Sequence, residues 1–217
     1  MAPRPARGEP ETRTGPFASA VATLPDPASL PHTQRQRRQR IVAAAIELLE
    51  DGEYDTIQMR DVAEHASVAL ATIYRYFTSK EHLYAAALYE WAADYPLGRR
   101  GAPSPTEPAE QRFRALMRRA VRAFGRQPQM MRAIIVLENS TDPNARALYE
   151  QFGARNVATL METLAGMTPD TARSIVETAN AVMVTKLRSW ALGRCTIGDV
   201  ERSVHRTLDL ILSPATH

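Results

Sequence analysis

Hydroxyls, aromatic rings and a guanidinium crowd positions 72–76, where Thr72, Tyr74, Arg75 and Tyr76 surround the single aliphatic Ile73. On an exposed helix, side chains of these kinds can hydrogen-bond to base edges and meet phosphate oxygens at the same time. Lys80 follows where a new helix is expected to begin, so its cation and nearby backbone amides suit a phosphate. Upstream, Gln58 offers an amide at the start of another short helix. Arg37 and Arg38 lie in an arginine cluster that also holds Arg35 and Arg40. That cluster is either a solvated helix start or an arm that reaches phosphates or a minor groove.

Catalytic chemistry finds little support beside this. There is no glycine-rich phosphate loop and no paired metal-ligand motif, so no metal and no cofactor are expected. Of the five histidines, His32 and His217 fall near the chain ends, and His65, His82 and His205 read as surface or packing residues. An all-helical enzyme is the weaker reading. The single cysteine, Cys195, excludes an internal disulfide and fits a reducing, cytoplasmic location, with a packing role near a helix end.

The elements that must position these residues follow from periodicity. With 44% hydrophobic and 24% charged residues and a net charge of +3, the composition is that of an ordinary globular chain. No apolar run approaches the ~20 residues needed to cross a bilayer, so no membrane partner is expected. Residues 1–32 read as a disordered basic tail. Ile41, Ala44, Ala45, Leu48 and Leu49 then mark an amphipathic helix from Thr33 to about Asp51. Two short helices, 58–65 and 70–77, flank a turn at 66–69. Each buries too little to stand alone, so both must pack on their neighbours as a helix-turn-helix. Thr78 and Glu81 match a capping box opening a helix to about Tyr95. After a loop over 96–108, helical periodicity resumes at 110–124, from Pro128, at 144–164, 169–192 and 197–212. The chain is therefore all-α with about nine helices: a helix-turn-helix DNA-binding domain over 33–83 and a ligand-binding and dimerisation domain over 84–217.

Val62-Ala63, Thr72-Ile73-Tyr74, Tyr76-Phe77 and Ser79-Lys80-Glu81 stand at the spacings of the TetR family of transcriptional regulators, which the sequence resembles from about Arg38 to Leu83. Ser67 replaces the turn glycine common in that family, and Ala71 a small residue that is often glycine. The resemblance implies a homodimer reading a pseudo-palindromic double-stranded operator, usually as a repressor released by a ligand. It implies DNA contact for Thr72, Tyr74 and Tyr76, phosphate contact for Lys80 and Gln58, and operator-dependent variation at Arg75. The DNA-binding segment and the Trp190-Ala191-Leu192 and Asp199-Val200 patterns are also similar to the KstR-type repressors of steroid degradation, which implies a CoA thioester or steroid among the candidate effectors.

Downstream, Trp91, Phe113, Met117, Phe124, Met130, Ile134, Leu137, Phe152, Met161, Met183, Leu187 and Trp190 are candidates to line a pocket for an apolar small molecule. The same residues would serve an ordinary core. Arg114, Arg118 and Arg122 recur every four residues, either as a solvated face or as a grip on the phosphates of a CoA-type ligand. Buried acids such as Glu138 or Glu177 would instead suit a drug-efflux regulator that senses cations. Ile175, Ala179, Met183, Leu187 and Trp190, with Val200, Val204, Leu208 and Ile211, form stripes suited to a four-helix dimer interface or to a monomer core.

Overall fold

The computed structural model describes residues 29–94 and 106–213, so most of the tail expected over 1–32 and of the loop expected over 96–108 lies outside the described residues. Within them the chain is helical throughout: α1 (His32–Asp51), α2 (Met59–His65), α3 (Leu70–Tyr74), α4 (Lys80–Asp94), α5 (Ala109–Arg126), α6 (Pro128–Leu137), α7 (Pro143–Thr163), α8 (Pro169–Ala191) and α9 (Ile197–Leu212). The sequence dictates most of the boundaries. Pro128, Pro143 and Pro169 open α6, α7 and α8, where a missing amide hydrogen costs nothing. Asp142 and Thr168 accept hydrogen bonds from the first amides of α7 and α8, and Thr196 with Asp199 closes a capping box on α9.

Two details differ from the pattern expected. The third helix ends at Tyr74 rather than Phe77, because the N–H groups of Tyr76 and Phe77 both turn back to the Ile73 carbonyl, at 2.8 and 3.0 Å. This tightening swings both rings into the core. The cap of α4 is Ser79, whose Oγ accepts from the His82 N–H at 3.0 Å. His82 Nδ1 in turn accepts from the Thr78 N–H at 3.2 Å. Ser79 and His82 thus fill the roles expected of Thr78 and Glu81, and the Thr78 hydroxyl, 3.1 Å from the same His82 Nδ1, also reaches a partner on another helix.

α4 is the axis of the molecule. Leu83, Tyr84, Ala85, Ala86, Ala87 and Leu88 are all buried on it, because α1 packs along one side and α6 and α7 along others. A run this apolar on every face needs neighbours all round. The boundary expected after Leu83 falls inside this helix. α8 and α9 pack on each other, and α5 joins α9 to α7. One continuous core runs from Leu30 to Leu212. It takes in Ile175, Ala179, Met183, Leu187, Val200, Val204 and Leu208, so the stripes offered as a dimer interface are spent largely on closing the monomer.

Candidate nucleic-acid interface and its link to the sensor half

α2 and α3 are held by a buried frame. Val62 and Ala63 of α2, Ile73 of α3 and Phe77 pack against Ile41, Ala45 and their neighbours in one core. Asp61 accepts from the Gln58 N–H at 2.7 Å, closing the start of α2. The helix ends in a Schellman turn: Val68 N–H reaches the Ala63 carbonyl at 2.9 Å and Ser67 N–H the Glu64 carbonyl at 3.0 Å. Ser67 takes φ +52°, the left-handed conformation for which glycine is the usual choice. The replacement of glycine noticed in the sequence therefore falls on a position with a backbone requirement.

On this frame Tyr74 is 53% exposed. Arg75 is also exposed, its guanidinium 5.6 Å from the Tyr76 ring. Thr72 is half-buried and Gln58 exposed. These four residues present hydroxyl, guanidinium and amide chemistry outward. Leu70, 40% exposed at the first position of α3, was missed in the sequence reading. An apolar side chain there can meet a thymine methyl. The signal for it was an apolar residue outside the inward set formed by Val62, Ile73 and Phe77.

Three expected DNA contacts are placed differently. Tyr76 is only 7% exposed and its hydroxyl is buried without a hydrogen-bond partner among the described residues, so in this conformation its ring packs inward, for the backbone reason given above. Arg38 is 8% exposed, with its guanidinium 5.1 Å from the Phe77 ring centroid. Burial pushes its pKa down, against the pull of Glu90. It is a core cation stacked on an aromatic face, whereas Arg37 beside it stays half-exposed. The Lys80 ammonium donates to the Tyr54 carbonyl and lies 4.2 Å from the Tyr54 ring. Burial lowers its pKa, although Asp55 and Glu81 favour the charged form. In this conformation the half-exposed side chain ties α4 to the α1–α2 connection.

The Thr78 hydroxyl, beside His82 Nδ1 at 3.1 Å, also reaches across the molecule. It donates to Asp142 Oδ2 at 2.6 Å and accepts from Asn144 Nδ2 at 3.3 Å. The other oxygen of Asp142 caps α7, accepting from the Asn144 and Ala145 amides at 2.8 and 3.2 Å. Burial raises the Asp142 pKa, but hydrogen bonds from Ser79, Thr78 and the two α7 amides outweigh it and hold the carboxyl below its ordinary value. His82 beside this junction is 7% exposed. Desolvation drives its pKa down to about 4, with Asp142 opposing and Arg38 assisting. Farther along α4, in its C-terminal half, Arg155 of α7 donates to the Tyr89 carbonyl at 2.7 Å and stacks 4.1 Å from the Tyr89 ring. α7 therefore holds α4 both at its start and in its C-terminal half.

In the sensor half, Trp91, Phe113, Met117, Phe124, Met130, Ile134, Leu137, Phe152, Met183 and Leu187 are buried in the common core, and Met161 and Trp190 pack against it half-buried. None of them lines the cleft between α5 and α9 or the one between α4 and the α6–α7 connection. Glu138 is half-buried, paired with Arg188 and bonded by the Tyr149 hydroxyl at 3.1 Å. Glu177 is exposed. Neither is the uncompensated interior carboxylate that a cation sensor requires. Arg114 pairs with Asp209 at 2.7 Å and also donates to the Leu208 carbonyl at 3.1 Å, while Cys195 is half-buried near the Lys186 carbonyl. No helix of the described residues is long and apolar enough to cross a membrane.

Residues 41–87 match the model of bacterial regulatory proteins of the tetR family, and residues 107–211 match the tetracyclin repressor-like C-terminal domain. The HTH-type transcriptional repressor KstR of Rhodococcus jostii (strain RHA1) is 30% identical over 195 residues, covering 89% of this chain and 91% of that protein. Among solved structures, a TetR transcriptional regulator from Rhodococcus sp. RHA1 superposes with a TM-score of 0.67 at 27% identity, over 86% of this chain and 100% of that one. Thermus thermophilus FadR, a TetR-family repressor in complex with lauroyl-CoA, shares the fold with a TM-score of 0.64 at 19% identity, over 83% of this chain and 95% of that one.

Proposed function

Because the chain belongs to the TetR family of bacterial regulatory proteins, we propose that it is a cytoplasmic, homodimeric repressor that binds a pseudo-palindromic operator and is released by an apolar small molecule. The observation that carries this reading is the outward face of α2 and α3, where Tyr74, Arg75 and Gln58 are exposed on a frame whose inner side is fully packed. Such a helix enters a major groove, and its fixed mounting lets it discriminate bases. Two copies must be held about one helical turn of DNA apart, roughly 34 Å. Leu210 of α9 is 81% exposed and Leu192 at the end of α8 is 42% exposed. They supply an apolar face for pairing the α8–α9 layer of one subunit with that of its partner.

The apolar interior and the similarity to KstR support a steroid or an acyl-CoA thioester as effector, and the FadR neighbour is a case of the same fold holding such a thioester. The division of labour follows the helices: α1 to α3 read DNA, α5 to α9 sense and dimerise, and α4 serves both. An effector that shifts α7 moves α4 through the Thr78–Asp142 and Tyr89–Arg155 contacts, changing the separation of the two reading helices. The bias of this switch equals the effector's differential affinity for the two states. The test is to select bound DNA from a random pool with the full chain, then challenge the complex with steroid thioesters, acyl-CoAs and cationic drugs. A pseudo-palindrome released by a thioester or steroid is expected. Selection of no preferred sequence, or release by cations only, would overturn the reading.

A further inference from the structure

α5 and α9 enclose a cleft of about 270 Å³ that the DNA-reading and coupling residues do not touch. Its floor is apolar, made by Val121, Val204 and Leu208, all of which belong to the core. The two walls carry charge in unequal states. Several of these charges are engaged: Arg202 pairs with Asp199 along α9, and Arg114 of α5 and His205 of α9 both reach Asp209. On the α5 wall Arg118 and Arg122 are exposed and make no hydrogen bond or ion pair among the described residues. They are helical neighbours at i and i+4, with Cβ atoms roughly 5–6 Å apart, so both guanidinium forks can close on one diphosphate. Glu201, the carboxylate in the lining, makes no ion pair or hydrogen bond among the described residues and faces them across the cleft.

We propose that this cleft binds the phosphorylated head of the effector, with the diphosphate held between Arg118 and Arg122 and the adjoining ring laid on Val121, Val204 and Leu208. The inference rests on the thioester reading above and locates one end of that ligand. The cleft volume of about 270 Å³ falls just below the ~300–1,000 Å³ usual for small-molecule pockets, so it takes part of a head group and leaves the acyl or steroid portion elsewhere. A concave, apolar-floored cleft suits a small anion better than a duplex backbone. Leu210 projects roughly 180° round α9 from Glu201, so pairing of subunits through Leu210 leaves the cleft open.

The test uses the full chain and CoA without an acyl group, titrated calorimetrically into wild type, R118Q/R122Q and E201Q at low and high salt. The substituted side chains are exposed, and an unchanged melting temperature establishes that each variant is folded. CoA is expected to bind wild type, to bind R118Q/R122Q at least about tenfold more weakly, and to bind E201Q a few-fold more tightly, because a repelling carboxylate is removed. Binding should weaken with salt, while binding of dodecanoate stays the same in all three proteins. Equal CoA affinity in wild type and R118Q/R122Q, or no CoA binding at millimolar concentration, would overturn the proposal. So would loss of operator affinity in the double variant without ligand, which would assign the two arginines to DNA. If acyl-CoA releases the operator equally from wild type and R118Q/R122Q, the cleft assignment fails and the effector reading stands. If no thioester releases the operator and CoA still binds through the arginines, the effector reading fails and the cleft stands.

Discussion

His82 occupies a position where a single proton matters. Its imidazole is neutral because burial holds its pKa at about 4, and its Nδ1 serves as acceptor for the Thr78 N–H. The unfolded chain takes up a proton near the ordinary histidine value of ~6.5, so between there and pH 4 the unfolded state binds more protons than the native one. The neutral imidazole's contribution to stability is therefore complete above about pH 6.5 and is lost as pH falls through the window to about 4. Linkage caps the loss at about 3 kcal/mol. Urea unfolding of wild type and His82→Gln at pH 7.0 and 4.5 should show a smaller pH-dependent loss in the variant; equal losses would dissociate the effect from this side chain. Two tyrosines of the reading unit make a second contrast. Tyr74→Ala should weaken operator binding by about 1–3 kcal/mol. Tyr76→Phe removes a buried hydroxyl that has no partner among the described residues, so operator affinity and stability should stay within about 0.5 kcal/mol of wild type. Fluorescence anisotropy with a labelled operator reads both variants.

At the scale of elements, the informative object is α4 between its two grips. The Thr78–Asp142–Asn144 junction lies at its start and the Arg155–Tyr89 contact in its C-terminal half, so a displacement of α7 is passed to a helix whose length between them is packed on all sides and cannot absorb it. Thr78→Val removes the hydroxyl that joins the two helices but leaves Asp142 to cap α7. It should cost about 0.5–1.5 kcal/mol of stability and raise the effector concentration needed for half-release several-fold, with operator affinity kept. Unaltered release would place the coupling elsewhere. Asp142→Ala removes the junction and the cap together and should cost more, about 1–2 kcal/mol from the cap alone. Helix existence was legible from periodicity, and the starts of α6, α7 and α8 were legible from their prolines. The cap of α4 was not, because Thr78 and Ser79 are both good caps by type and only the approach of Asp142 decides which is used.

For the whole molecule, the question is how two reading units are set at a fixed distance. Leu210→Glu places a charge on an exposed apolar position, so it should leave helix content intact while shifting sedimentation from dimer to monomer. Operator affinity should fall by more than about tenfold, since each half-site alone supplies only part of the contacts. A variant that stays dimeric would move the interface away from this part of α9. The stripe of Val200, Val204 and Leu208 shows why pattern alone could not choose: an apolar face has the same period whether it meets its own chain or a second copy. The amino-acid sequence by itself determined the all-helical class, the helix-turn-helix and its family, because these depend on local periodicity, caps and a motif of fixed spacing. Only the tertiary structure decided which of the motif's polar residues look outward. Arg38 and Tyr76 have the right chemistry for DNA, yet are turned inward beside Phe77 and by the turn at the Ile73 carbonyl, and the half-exposed Lys80 is engaged by Tyr54. Orientation depends on neighbours brought together by folding, and residue type does not encode it. The same holds for Arg118 and Arg122, which stand out only once Arg114 and the α9 charges are seen to be paired.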